Sequence, residues 1–493
     1  MLTELERESN LTLTENGAPA NRSSGSRCLD FFAACGALRG ADPDVPRRLF
    51  FRAWTEDADT AMRALFYARD IRGGLGEREL FRGVLSWMAR IRPEAVRRNI
   101  RLIPEYGRWD DLLPLLDTPC AEETVRVIRE RLEADRAALA AGGQISLLAK
   151  WLPSVHTASD TQRARARLLC RRLGMTEKEY RKTLAALRSR IDVLEKRLCA
   201  ADYAFDYEKL PSGAMHKYRE AFLRHDRERY ARFLDRVLSG EAAMHAGTLY
   251  PYEIVRACIP DRPLWGEEEQ TLTPEMIRSL DAAWKSLPDW GDARNALAVI
   301  DGSGSMYSGG SPTPAEVAMS LGIWFAEHNT GLFRDCFITF SRTPQLVRLQ
   351  GGNIADRVRY CMSFNEIANT DLRAVFELLL GTALTHHLPQ EEMPETLYII
   401  SDMEFDEGVD CGVTLFEEIR ALYEANGYRL PALVYWNVDR RHEQVPVRRD
   451  EQGTVLVSGC SPSVFRAVIG QDATPERFMA SVLNGERYRP IRG

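Results

Sequence analysis

The stretch Asp301-Gly302-Ser303-Gly304-Ser305 puts one carboxylate and two hydroxyls directly after the apolar run Ala296-Leu297-Ala298-Val299-Ile300. Three chemistries use a Gly/Ser-rich loop of this kind. A phosphate loop needs a lysine in the register G-x-x-x-x-G-K-[ST], and this loop holds none. A nucleophile elbow needs G-x-S-x-G; the run D-G-S-G-S misses that register and has no histidine near it in sequence. The third pattern is D-x-S-x-S at the carboxyl end of a strand, the edge of an open α/β sheet at which ligands bind. Hydroxyls two residues apart can face one point with the carboxylate behind them. Oxygen donors alone suit a hard cation, Mg²⁺ or Mn²⁺. Gly302 and Gly304 allow the backbone to turn tightly around it.

One carboxylate and two hydroxyls are too few for an octahedral ion, so other loops on the same edge must complete the set. Asn369-Thr370-Asp371 stands before the helical stretch LRAVFELLL, and Ser401-Asp402 closes the strand-like TLYII. Both are oxygen donors at strand–helix junctions. Glu404, Asp406, Glu407 and Asp410 follow, and read as a solvated acidic loop that could at most adjust cation affinity.

With these positions included, the pattern resembles the metal-ion-dependent adhesion site of the von Willebrand factor A (vWA) fold, at Asp301, Ser303, Ser305, Thr370 and Asp402 in that order. The resemblance implies that Ser303, Ser305 and Thr370 touch the ion directly, while the two aspartates act largely through water. It also implies a sixth position open to solvent or to a carboxylate from a protein partner.

The elements that must position these residues follow from the hydrophobic pattern. After residue 293, strand-length apolar runs (ALAVI, CFITF, QLVRL, TLYIIS, ALVYWNV, TVLVSG) alternate with amphipathic helical stretches. Continuous apolar strands between helices imply a mostly parallel sheet covered on both faces. From 28 to about 245 the pattern is helical, with apolar residues at three- and four-residue spacings and breakers at Gly73-Gly74, Pro93, Pro104, Pro114 and Pro153, and the proline-rich 246–292 reads as a connecting region with a helix near 274–286. Helices of this length with short connections suggest stacked pairs, as in a HEAT-like α-solenoid. The expected organisation is a disordered lead-in over 1–27, a helical domain over 28–292, and an α/β domain over 293–493.

The helical part carries a resemblance of its own. YARDIRGGLGERELF (67–81) and GRWDDLLPLL (107–116) resemble the TROVE module of Ro-type RNA-binding proteins, which pair a ring of helical repeats with a vWA domain in the same order. The chain is most similar to an uncharacterised family of TROVE-like plus vWA proteins, through LPSGAMHKYREAFLRHDRERYARFLDRVLSG, GTLYPYEIV and VLVSGCSPSVF. The resemblance implies RNA, structured or single-stranded, as a partner of the helical part. Candidate phosphate contacts are Arg69, Arg72, Arg78, Arg163, Arg165, Arg167, Arg171, Arg172, Lys182, Lys217 and Arg224. Lys150, beside Trp151, could contact a nucleotide. Against each stands a plainer role: bonds to helix ends or acids for the arginines, and core packing for the tryptophan.

Charge bears on that choice. Residues 1–300 hold 48 Lys/Arg and 45 Asp/Glu, net +3, whereas 301–493 hold 17 and 26, net −9. The basic excess is concentrated in 151–200, with 12 basic and 5 acidic groups. This is far less positive than a dedicated nucleic-acid binder. The ten cysteines show no C-x-x-C pair and read as reduced core thiols. The polar N-terminus lacks a signal peptide's apolar core, and no apolar run is long enough for a membrane span, so a cytoplasmic location is expected. Three functions remain: a non-catalytic RNA-binding scaffold with a cation-dependent protein-docking domain, a metal-dependent assembly module without nucleic acid, and a metal-assisted phosphohydrolase. The first accommodates both resemblances.

Overall fold

In the computed structural model the described residues are 1–493 without 2–4, 6–7, 192–193, 248, 260–271, 290–294, 309, 341–342, 365–370, 407–414 and 467–472. They form two compact units. One comprises Met1–Asp42 and Asp206–Val482, the other Pro43–Phe205 and Leu483–Gly493. This division differs from the expected boundary at 292/293, and each unit is closed by a segment distant in sequence.

The first unit is built on a six-stranded sheet. Its strands are β3 (Ala296–Asp301), β4 (Cys336–Phe340), β5 (Leu346–Arg348), β6 (Thr396–Ser401), β7 (Ala432–Asn437) and β8 (Thr454–Ser458), in the order β5-β4-β3-β6-β7-β8. All pairings are parallel except β4 with the edge strand β5. β4, β6 and β8 are buried at every position, which is why they read as unbroken apolar runs rather than alternating ones. The strand order reverses between β3 and β6, and their register sets Ile300 beside Ile400. Asp301 and Ser401 therefore leave the sheet side by side, at the place where open α/β sheets form their binding crevice.

Helix Pro314–His328 follows the Asp301 loop. It starts on a capping box in which Thr313 Oγ accepts from Glu316 N–H and the Glu316 carboxylate accepts from Thr313 N–H. It is buried along almost its whole length. Helices Ser212–His225, Arg227–Leu238, Pro251–Cys258 and Pro274–Lys285, expected in the helical domain, belong to the sheet unit. Arg256 on one of them holds the Glu316 carboxylate with two hydrogen bonds of 3.0 and 2.9 Å.

The N-terminal segment is not a disordered lead-in where it is described. β1 (Leu11–Leu13) and β2 (Pro19–Asn21) form an antiparallel hairpin. Asn21 exchanges backbone hydrogen bonds with Val445, at 2.9 and 2.8 Å. Helix Arg27–Ala34 then packs near β8, with Phe32 edge-on to Phe478. Polar side chains that made this stretch look solvated are bonded instead: Thr14 Oγ to the Phe405 carbonyl, Asn16 Nδ2 to the Glu404 carbonyl, Asn10 Nδ2 to the Ser23 carbonyl and Ser23 Oγ to the Asp30 carboxylate. Composition reports polarity, not the partner that satisfies it.

The second unit is helical throughout, including Asp44–Glu56, Ala58–Arg69, Arg78–Ile91, Ala121–Ala140, Asp160–Leu173 and Glu177–Arg190. Neighbours in sequence pack on one another, and the C-terminal tail returns to this unit. Arg487 and Tyr488 bond the buried Asp70 carboxylate, Tyr488 Oη at 2.9 Å, and Asn99 pairs with the Arg492 backbone. Among the described residues no helix is long and apolar enough to cross a membrane.

Gly36 packs tightly against the end of β8. Its N–H donates to Ser458 Oγ at 2.9 Å, and a Cβ there would lie 2.6 Å from the Ser458 carbonyl group. Backbone cannot yield as a flexible side chain can. Gly36→Ala is expected to cost about 1–3 kcal/mol in chemical denaturation.

Candidate metal centre

Asp301 and Asp402 are 1% and 2% exposed, so both carboxylates leave water when the chain folds. The local backbone is built around them. Asp301 Oδ1 accepts the Ser303 N–H at 2.9 Å, and Oδ2 accepts the Ser401 hydroxyl at 2.6 Å. Ser401 Oγ in turn accepts the Met403 N–H at 3.0 Å. Met403 adopts φ +68°, a strained turn for a side chain of this size, which lets Glu404 N–H reach Asp402 Oδ1 at 3.2 Å.

Ser303 Oγ and Ser305 Oγ stand 3.1 Å apart. Adjacent ligands of an octahedral ion with 2.0–2.1 Å bonds would sit about 2.9 Å apart. Asp402 Oδ2 is buried without a hydrogen-bond partner; the nearest recorded charge is Arg441 Nη1 at 3.8 Å. An orphaned carboxylate oxygen in a dry site is costly, and a cation is the group that would satisfy it.

Electrostatics agree with the geometry. Burial pushes the Asp301 carboxyl up to about 7, and the Asp402 charge adds to the rise. Burial also raises Asp402, against the nearby Ser305 hydroxyl and the Glu404 N–H. Asp439, just past β7, is pushed up to about 6 by burial and then by Asp402. Asp402 thus repels both Asp301 and Asp439, with the Arg441 guanidinium nearby. The residues fit a divalent cation, which Ser303, Ser305, Asp301 and Asp402 would hold.

Of the five expected ligands, four converge at this edge. Thr370 lies outside the described residues. Its neighbour Asp371 is occupied as a helix cap, accepting from Ala374 N–H at 3.0 Å. Sequence reasoning named Ser401 only as the companion of Asp402, and passed over Asp439 and Arg441. Asp439 was reachable by the same rule that found Asp402, an acid just past the carboxyl end of a parallel strand. Arg441 had no such signal. A second grouping, Glu15, Glu404 and His442, offers ligand atoms within 4.8 Å of one another. The Glu404 carboxylate is already met by Glu15 N–H at 2.7 Å, Gln444 Nε2 at 2.7 and 2.9 Å, and His442 Nδ1 at 3.0 Å. It is a clasp rather than a vacant cage, and Glu404 is not solvated as its composition suggested.

The basic candidates divide. Arg69 is 2% exposed and paired with Asp111 at 2.8 Å, so it has no surface to offer a phosphate. Arg82 joins the same buried acid at 2.6 Å. Arg72 is exposed but donates to the Glu105 carbonyl, and Arg78 bonds Glu79 at 2.8 Å. Arg163 is held by Asp160 and the Thr157 carbonyl, and Arg167 by Glu177 at 3.2 Å. Lys217 lies 4.8 Å over the Tyr218 ring. Lys150 is exposed, 5.4 Å over the Trp151 ring, which also carries the Arg108 guanidinium at 4.1 Å. Arg165, Arg171, Arg172, Lys182 and Arg224 show no ion pair or side-chain hydrogen bond among the described residues.

The fold and this edge define a class: a helical protein joined to a mostly parallel α/β sheet with a buried, oxygen-only candidate cation site. The family profile described as a domain of unknown function (DUF2828) matches residues 14–136 and 120–289, more than half of the chain, and the chain belongs to that family. A second profile, also a domain of unknown function (DUF7788), matches residues 295–487. "Uncharacterized protein L728" of Acanthamoeba polyphaga mimivirus is 28% identical, across 98% of this chain and 89% of its own. Among solved structures, the RO (RSR) protein of Deinococcus radiodurans aligns over 94% of this chain and 100% of its own, at 17% identity and a TM-score of 0.48.

Three outcomes test these assignments. Without cation, Asp301 titrates near 7 when folded and near 3.8 when unfolded. The unfolded chain therefore loses its proton first, and stability should fall as pH rises from about 4 to about 7. A cation needs the ionised form, so the apparent Mn²⁺ affinity should rise about tenfold between pH 6 and 8, read by calorimetric titration, and vanish in Asp301→Ala. Separately, Arg69→Gln should cost about 1.5–3 kcal/mol of stability by removing the buried guanidinium's bonds to Asp111, which keeps Arg82 as a partner, in a denaturation curve.

Proposed function

We propose that this protein is a non-catalytic scaffold. Its sheet unit is a vWA-like module that binds Mg²⁺ or Mn²⁺ and docks an acidic side chain of a protein partner through it, while its helical unit holds RNA by the phosphates. The observation that carries the first half is the buried Asp402 Oδ2, orphaned beside Asp301 and the paired serine hydroxyls. Ser303 and Ser305 supply neutral oxygens. A cation held by few charges on its own side keeps an appetite for a carboxylate from outside.

The RNA half rests on the TROVE-like sequence motifs and on cations that the fold leaves unspent. Arg165, Arg171 and Arg172 lie on helix Asp160–Leu173 and Lys182 on helix Glu177–Arg190, two helices that pack together; Lys150 is exposed near the Trp151 ring. Arg69 leaves the contact set, and Arg72, Arg78, Arg163 and Arg167 are engaged within the protein. The modest overall charge favours a second reading, an assembly module without nucleic acid.

Anisotropy with a U-rich single-stranded RNA decides between them. Five phosphate contacts predict a log–log salt slope of about −3.5. Arg171→Gln with Arg172→Gln should lower that slope by about 1.4 without changing the melting temperature. No binding at low salt leaves the assembly reading. Partner capture from lysate should be lost with EDTA and in Ser303→Ala.

A further inference from the structure

Among the described residues Arg441 is the cation paired closest to Asp402, and it is shared. Its Nη2 bonds Glu15 Oε2 at 2.9 Å, while Nη1 stops 3.8 Å short of Asp402 Oδ2, beyond hydrogen-bond distance. Moving about 1 Å would bring it to a charge-assisted bond with that oxygen. A guanidinium so placed would occupy the atom that the metal needs.

Glu15 is held in place by the hairpin that carries it. Glu15 N–H donates to Glu404 Oε2 at 2.7 Å, Thr14 Oγ to the Phe405 carbonyl at 2.6 Å, and Asn16 Nδ2 to the Glu404 carbonyl at 2.7 Å. Gly17 bridges to Asp406. Each of these anchors falls on the turn immediately after Asp402. The acid that draws Arg441 outward is therefore in register with the acid it must be kept from. The other anions that face Arg441 are Asp402 and Asp439 on the metal side; His442 is engaged by Glu404.

Resting on the cation reading above, we propose that Glu15 is a positioning residue of the metal centre: it holds Arg441 away from Asp402 and so keeps the inner carboxylate oxygen open to a divalent ion. Glu15 does not touch the ion. It acts through Arg441, and its effect on the metal disappears when Arg441 is absent.

The test is a double-mutant cycle on the full chain, with Mn²⁺ alone as the probe and free Mn²⁺ read by electron paramagnetic resonance. Glu15→Gln should weaken binding about tenfold. Arg441→Gln should bind at least as tightly as the unaltered chain. The double variant should match Arg441→Gln, a rescue that a purely structural role for Glu15 would not produce. Thr14→Val, which loosens the hairpin without touching either charge, should weaken Mn²⁺ in the same direction. An unchanged affinity in Glu15→Gln overturns the proposal, as does an equal loss with and without Arg441. Failure of the unaltered chain to bind Mn²⁺ removes the cation reading itself, and this proposal with it.

Discussion

Two carboxylates, Asp301 and Asp402, are buried side by side at the rim of the sheet, and much of the local structure exists to make that tolerable. Burying one charge is expensive; burying two like charges is more so. The Ser401 hydroxyl, the Ser303 N–H and the Glu404 N–H each neutralise part of the cost. What they leave unmet, the inner oxygen of Asp402, is the feature a divalent cation would complete. The Met403 backbone, turned to positive φ between the two acids' supporting contacts, is the geometric cost of aiming them at one place.

Support for this rim comes from three directions. The parallel register of β3 and β6 brings Asp301 level with Ser401. The helix after the serine loop is fixed at its start by its own capping box and by Arg256 on Glu316. From outside, the N-terminal hairpin clasps the backbone just beyond Asp402, with Glu404 as the knot: a buried acid whose oxygens accept from Glu15, Gln444 and His442. An acidic loop in sequence becomes, in the fold, a set of acids with separate duties.

The helical unit shows the opposite economy. Several of its arginines work inward: Arg69 and Arg82 converge on the buried Asp111, and Arg487 returns from the C-terminus to Asp70. A guanidinium matches a carboxylate bidentately, so arginine is suited to such buried junctions. Only after these are set aside does the basic face emerge, on the helices from 160 to 190, and it is narrower than a count of arginines implies.

The sequence alone determined the helix-then-α/β grammar, the strands from β3 to β8, and the carboxylate and hydroxyls of the Asp301 loop. These are local properties, written in periodicity and in spacings of two residues. It also reached Asp402, because an acid at the end of a parallel strand is a local signal. Tertiary structure alone decided that residues 10–24 are a docked hairpin, that four helices before 286 join the sheet unit, that Arg69 is buried, and that Asp439 and Arg441 stand at the same rim. Each of those depends on partners tens to hundreds of residues away. A side chain's type states which bonds it can make, whereas the fold decides which of them are within reach.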